Sequence, residues 1–160
     1  MLAALAQIER ECAGICAAAA ERLEERHLRG ELSDLRNDHL RHLEALNRLI
    51  FERQGAPLTN VPSSAASEAR WPRPPAARAG APPGEVLAGV LRREAMGAGA
   101  YENALLHPWD RASRTVLDTN AWDQQRHIRL LEAHTRALVP PRPTSARAAN
   151  HRHEPVHFND

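Results

Sequence analysis

A chain of 160 residues with 42% hydrophobic but only 4% aromatic side chains suits one domain with a real core, and its Ala, Leu, Arg and Glu dominance favours helix over strand. Its 21 basic residues are all arginine, oppose 20 acids and interleave with Glu along the chain, a net charge of +1 that leaves no electrostatic nucleic-acid footprint. Glu9, Arg10 and Glu11 interrupt the first apolar run too early for a signal peptide or a membrane span, so the expectation is a cytoplasmic protein with neither a nucleic-acid nor a membrane partner.

The first predicted helix runs from about Leu2 to Arg29, with Leu5, Ile8, Cys12, Ile15, Cys16, Ala19 and Leu23 as its apolar stripe. Glu9 and Glu11 each fall roughly 80° from the centre of that stripe at ~100° per residue. Cys12 and Cys16 share the apolar face and read as small buried thiols rather than a redox or metal pair. Gly30 marks the break before a second helix from about Glu31 to Arg53, where Leu32, Leu35, His39, Leu43, Leu46 and Ile50 recur at helical spacing. His39 therefore stands where a leucine is expected, with His42 beside it. Gln54-Gly55-Ala56-Pro57 ends this helix, because Gly caps it and Pro prevents its continuation.

Residues 55 to 83 are rich in Pro, Ala, Ser and Gly without apolar periodicity and read as a linker, with Trp71 its only large side chain. A third helix, about Pro83 to His107, carries Val86, Val90, Glu94, Gly97, Ala98, Tyr101 and Leu105 on one face. The fourth opens after Asp110, a plausible N-cap, and runs to about Leu138 on a stripe of Leu117, Asn120, Gln124, His127, Leu131, His134 and Leu138. Trp109 and Trp122 read as packing anchors. Residues 139 to 160 read as a disordered tail whose histidines are more simply solvated than metal-bound.

An internal duplication links the two helical pairs. Offset by 82, the first helix falls on the third, placing Cys12 opposite Glu94 and Ala19 opposite Tyr101; offset by 85, His42 falls on His127 and Leu46 on Leu131. Short loops make neighbouring helices antiparallel, whereas a linker of roughly 30 residues can traverse the ~40 Å length of a long helix. The predicted fold is all-α: a four-helix bundle, residues 1 to 138, made of two helical hairpins joined by a long crossover linker.

Glu94 is the main anomaly, at the centre of an apolar stripe. An unpaired buried carboxylate costs several kcal/mol, so Glu94 needs a partner, and His39, His42 and His127 are the available ones. Two outcomes stay open. These groups, with Asn120 and Gln124, form a closed hydrogen-bond network that fixes helix register, or they hold a metal.

Arg93-Glu94-Ala95-Met96-Gly97-Ala98-Gly99-Ala100-Tyr101 resembles the Glu-x6-Tyr signature on a metal-bearing helix of ferritin-like proteins. The runs from Asn37 to Leu46 and from Leu49 to Pro57 look like the second helix and Gly-x-Pro exit of small bacterial ferritin-like proteins of uncharacterised function. The pattern wants Glu-x-x-His in the second and fourth helices, and this chain has His39-x-x-His42 and Gln124-x-x-His127 instead. The resemblance thus implies a degenerate site with Glu94, His42 and His127 as metal ligands, and His39 and Gln124 as replacements for the missing carboxylates. One divalent ion, iron or zinc, is then expected rather than a pair, and a metal-free protein is an equal alternative. Two functions follow: a ferritin-like bundle in a stress-related or accessory role, or a metal-free helical interaction protein working through a surface or a homodimer interface. Neither assigns an enzymatic reaction.

Overall fold

The computed structural model describes residues 1 to 54 and 81 to 138. They form four helices, α1 (Leu2–Ala20), α2 (Arg26–Gln54), α3 (Pro83–Leu105) and α4 (Arg111–Leu138), and no strand among the described residues. The predicted linker up to residue 80, with Trp71, and the predicted tail lie outside them. No described helix is long and apolar enough to cross a membrane.

The break between α1 and α2 differs from the expectation. It falls at residues 21 to 25, and Gly30 lies inside α2, where the Arg29 amide already donates to the Glu25 carbonyl at 3.1 Å. A single glycine costs a helix interior only about 1 kcal/mol. Burial of Leu28, Leu32 and Leu35 along one unbroken stripe outweighs that cost. A Cβ added at Gly30 would meet nothing within 4 Å. Gly30→Ala is therefore expected to stabilise the protein by about 0.4–1 kcal/mol, read as a raised denaturant midpoint at unchanged slope.

Two apolar clusters fill the ends of the bundle. In one, Leu2 and Leu5 of α1 meet Leu46, Leu49 and Ile50 of α2, Ala104 of α3 and Leu117 of α4. In the other, Cys16 and Ala19 meet Leu28 and Leu32 of α2, Val86 and Leu87 of α3 and Leu131 of α4. Helix α1 thus runs antiparallel to both α2 and α3, its packing neighbours, and α4 runs antiparallel to the same two. The C-terminal end of α2 and the N-terminal end of α3 lie at opposite ends of the bundle.

Asp110 caps α4 as predicted. Its carboxylate accepts the Ser113 backbone N–H at 2.9 Å and the Ser113 hydroxyl at 2.8 Å, and these bonds, with Arg53 beside it, hold its carboxyl at about 2. Arg53 also lies over the Trp109 ring, 5.2 Å from its centroid, while the Trp109 indole N–H donates to the Ala104 carbonyl at 2.8 Å. Trp109 is thus the anchor expected of it, tying the ends of α2, α3 and α4 together. Trp122 is not, being 62% exposed on the outer face of α4.

Candidate metal centre

Between the two apolar clusters lies a layer of buried polar side chains: Glu9 from α1; Asp38, His39 and His42 from α2; Glu94 from α3; Asn120, Gln124 and His127 from α4. All but Asp38, which flanks the stripe of α2, come from the inward face of their helix, and His39, Glu9, Glu94, Gln124 and His127 are completely shielded from solvent. The Glu94 carboxylate and the Tyr101 ring face inward, as their angle on α3 predicts.

His39 is the centre of the layer. Its Nδ1 lies 2.6 Å from Glu9 Oε2 and its Nε2 lies 2.9 Å from Glu94 Oε1. Ionised carboxylates only accept, so both ring nitrogens donate and His39 is an imidazolium. Burial alone pushes its pKa down, but hydrogen bonds with Cys16, Glu9 and Glu94 and the charge of Glu94 hold it well above the ordinary histidine range. The carboxylates answer in kind. Burial pushes Glu9 up, and the hydrogen bond from His39, with the His39 and His42 rings close by, more than reverses this, to about 2. Burial likewise raises Glu94, and the bonds from His127 and His39 bring it below its ordinary value. Tyr101 donates its hydroxyl to Glu9 Oε1 at 2.5 Å and accepts from Asn120 Nδ2 at 3.1 Å.

The two other histidines repeat one another. His42 Nε2 lies 3.1 Å from Asp123 Oδ2, with Nδ1 3.4 Å from Glu9 Oε2. His127 Nε2 lies 3.0 Å from Asp38 Oδ2, with Nδ1 3.4 Å from Glu94 Oε2. An outer aspartate therefore fixes each ring by taking its Nε2–H, and each Nδ1 points to a buried glutamate. Asp38 is pushed up by burial but held below its ordinary value by bonds from His127, Arg41 and Arg126. Arg126 bridges the aspartates, at 2.5 Å from Asp38 Oδ2 and 3.1 Å from Asp123 Oδ1.

This arrangement corrects the alignment of the first helix. A single offset of 85 carries both helical pairs: Glu9 onto Glu94, Cys12 onto Gly97, Asp38 onto Asp123, His39 onto Gln124, Arg41 onto Arg126 and His42 onto His127. Glu9, which the apolar stripe of α1 leaves to one side, is the partner of Glu94 across the layer. The stripe places its centre wrongly because Ile15 is only half-buried and Leu23 lies beyond the end of α1. Ala6 and Ala13 are buried, which turns the inward face roughly 40° towards Glu9. The sequence signal that finds Glu9 is the offset of 85 itself, applied throughout.

Two of the matched pairs at which the halves differ bear on the donors. Gly97 leaves room for Gln124, whose amide would sit 3.2 Å from an added Cβ, whereas the matching positions hold Cys12 and His39. Among the described residues, two groups of three buried donors converge within 4.8 Å: Glu9, His39 and His42, and Cys12, His39 and Glu94. His42 and Glu94 thus fall in separate groups joined by His39, and His127 belongs to neither. His42 Nδ1 is buried without a hydrogen-bond partner, as are both amide atoms of Gln124.

The chain matches no protein-family model, no curated protein and no solved structure. It is a small all-α protein of four helices with a cluster of buried acidic and histidine residues whose donors can hold a metal ion.

Proposed function

We propose that the protein is a ferritin-like bundle with a degenerate centre that binds one divalent transition-metal ion, zinc or iron(II), through Glu9, His39 and His42, in an accessory or stress-related role. The carrying observation is His42. Its Nε2–H is engaged by Asp123, and its buried, unpartnered Nδ1 faces a carboxylate oxygen 3.4 Å away. Two electron-rich atoms held face to face need a cation between them, either a proton or a metal.

Charge supports the same reading. Glu9, Glu94, Asp38 and Asp123 supply four negative charges, and Arg41 and Arg126 balance two. The remaining two match either protons on two imidazoles or one divalent ion. Two nitrogens and one carboxylate oxygen suit zinc or iron(II) rather than magnesium or calcium. His39 and Gln124, standing where a di-iron centre takes bridging carboxylates, cannot supply the oxygens that hold two irons together.

Elemental analysis of untagged full-length protein, equilibrated with Zn²⁺ and desalted, tests this. His42→Ala and Glu9→Gln are each expected to hold one equivalent less than wild type; the tail histidines are common to all three and cancel. Equal content in all three would remove the reading. It would leave the metal-free interaction protein, which one observation favours: His39 bonded to both glutamates already gives each carboxylate a partner with protons alone.

A further inference from the structure

We propose that the other side of His39 is a second metal position, in which the Cys12 thiolate, His39 and Glu94 take a thiophilic divalent ion such as Zn²⁺, Cd²⁺ or Co²⁺. It goes beyond the site at Glu9 and His42 because its remaining donors, Cys12 and Glu94, are different residues and Glu94 adds a third helix.

Three observations converge on it. First, donor atoms of Cys12, His39 and Glu94 lie within 4.8 Å of one another, and all three residues are buried. Second, they come from three helices, α1, α2 and α3, so the packing of the bundle holds the donors together without any loop having to close. Third, the internal repeat shows that this corner is chemically particular. At the matching corner of the other half stand Gly97 and Gln124, neither of which offers a thiolate or an imidazole. The thiol and the ring nitrogen meet only on this side.

The donor set selects the ion. A thiolate, an imidazole and a carboxylate make a mixed sulfur, nitrogen and oxygen site of the kind that borderline ions fill tetrahedrally, with the fourth place left to water. Mg²⁺, Ca²⁺ and Mn²⁺ prefer oxygen donors and gain little from sulfur. Binding breaks the Cys12 S–H bond as the sulfur–metal bond forms, and the ring nitrogen of His39 that joins the ion gives up its proton. Two protons leave for solvent as two positive charges enter, so the layer keeps its total charge. Cys16, one turn further along α1, is not among the three converging donors.

Co²⁺ is the probe, added to untagged full-length protein under reducing, oxygen-free conditions. The expected result is a near-ultraviolet thiolate-to-cobalt charge-transfer band that Zn²⁺ or Cd²⁺ abolishes by displacement. Cys12→Ser and Cys12→Ala should both lose the band and weaken Cd²⁺ binding by at least about tenfold. Cys16→Ser and His42→Ala should keep it. The wild-type spectrum is itself decisive, so a variant that fails to fold cannot shelter the proposal. Absence of the band at saturating Co²⁺, or its survival in either Cys12 variant, overturns it. Failure here leaves the Glu9, His39 and His42 site intact if His42→Ala still lowers metal content. Conversely, a Cys12-dependent band in wild type, together with a zinc content that His42→Ala does not change, would uphold the Cys12 position and remove the one at His42.

Discussion

Replacing His39 with leucine is expected to destabilise the metal-free protein by about 3–5 kcal/mol, measured as a loss of denaturant-unfolding free energy. The change leaves two fully buried carboxylates, Glu9 and Glu94, without the imidazolium that bonds both. That is a large part of the ~5–15 kcal/mol that holds a domain folded. Burial, rather than the loss of a contact, supplies most of the cost, so neutralising the carboxylates should return much of it. In the His39→Leu background, Glu9→Gln with Glu94→Gln is expected to recover at least about 1 kcal/mol, although in the wild-type background the same pair of changes destabilises. A destabilisation below about 1 kcal/mol for His39→Leu alone would mean that water reaches the two carboxylates and the layer is not dry.

The same ion pairs make stability depend on pH in both directions, again in protein stripped of metal. Glu9 is held at about 2 against an ordinary 4.5, so its contribution is present above pH 4.5 and is lost as pH falls towards 2. At about 1.4 kcal/mol per unit this loss is about 3 kcal/mol, and Glu94 and Asp38, lowered in the same sense, act in the same window. His39 is raised, so its contribution is complete below its ordinary 6.5 and declines as pH rises above it. The expected profile has a plateau between 4.5 and 6.5 and falls on the alkaline side at up to about 1.4 kcal/mol per unit. Acid and alkali dismantle the same contacts, so the two losses are not separate stores of stability. Unfolding free energies collected from about pH 2 to about pH 9 check this, and His39→Leu should flatten the alkaline limb. Stability that climbs between pH 6.5 and about pH 9 would show that His39 is neutral in the folded protein.

Much of the layer is legible along the chain. His39, Glu94, Gln124 and His127 announce themselves as polar residues on apolar stripes, and all four are buried there. Glu9 does not, because a stripe drawn through large side chains ignores alanines, and Ala6 and Ala13 are half the reason that face of α1 turns inward. Gly30 misleads in the opposite way. A glycine is a weak breaker, and the leucine stripe of α2 runs through it from Leu28 to Ile50. Asp38 and Asp123 are visible only as flanking acids, and their role in taking the Nε2–H of His127 and His42 is not legible at all.

Helix content, the four apolar stripes, the N-cap at Asp110 and the echo of one pair of helices in the other belong to the sequence by itself, since periodicity and capping are properties of neighbouring residues along one chain. Which nitrogen meets which oxygen was decided only by tertiary structure. Turning any one helix about its axis by half the ~100° between residues would exchange Glu9 for a neighbour and part Cys12 from Glu94, while leaving every local signal as it is. That rotation is set by the packing of all four helices at once, which places His39 between two glutamates, with Cys12 beside it on one side and His42 on the other.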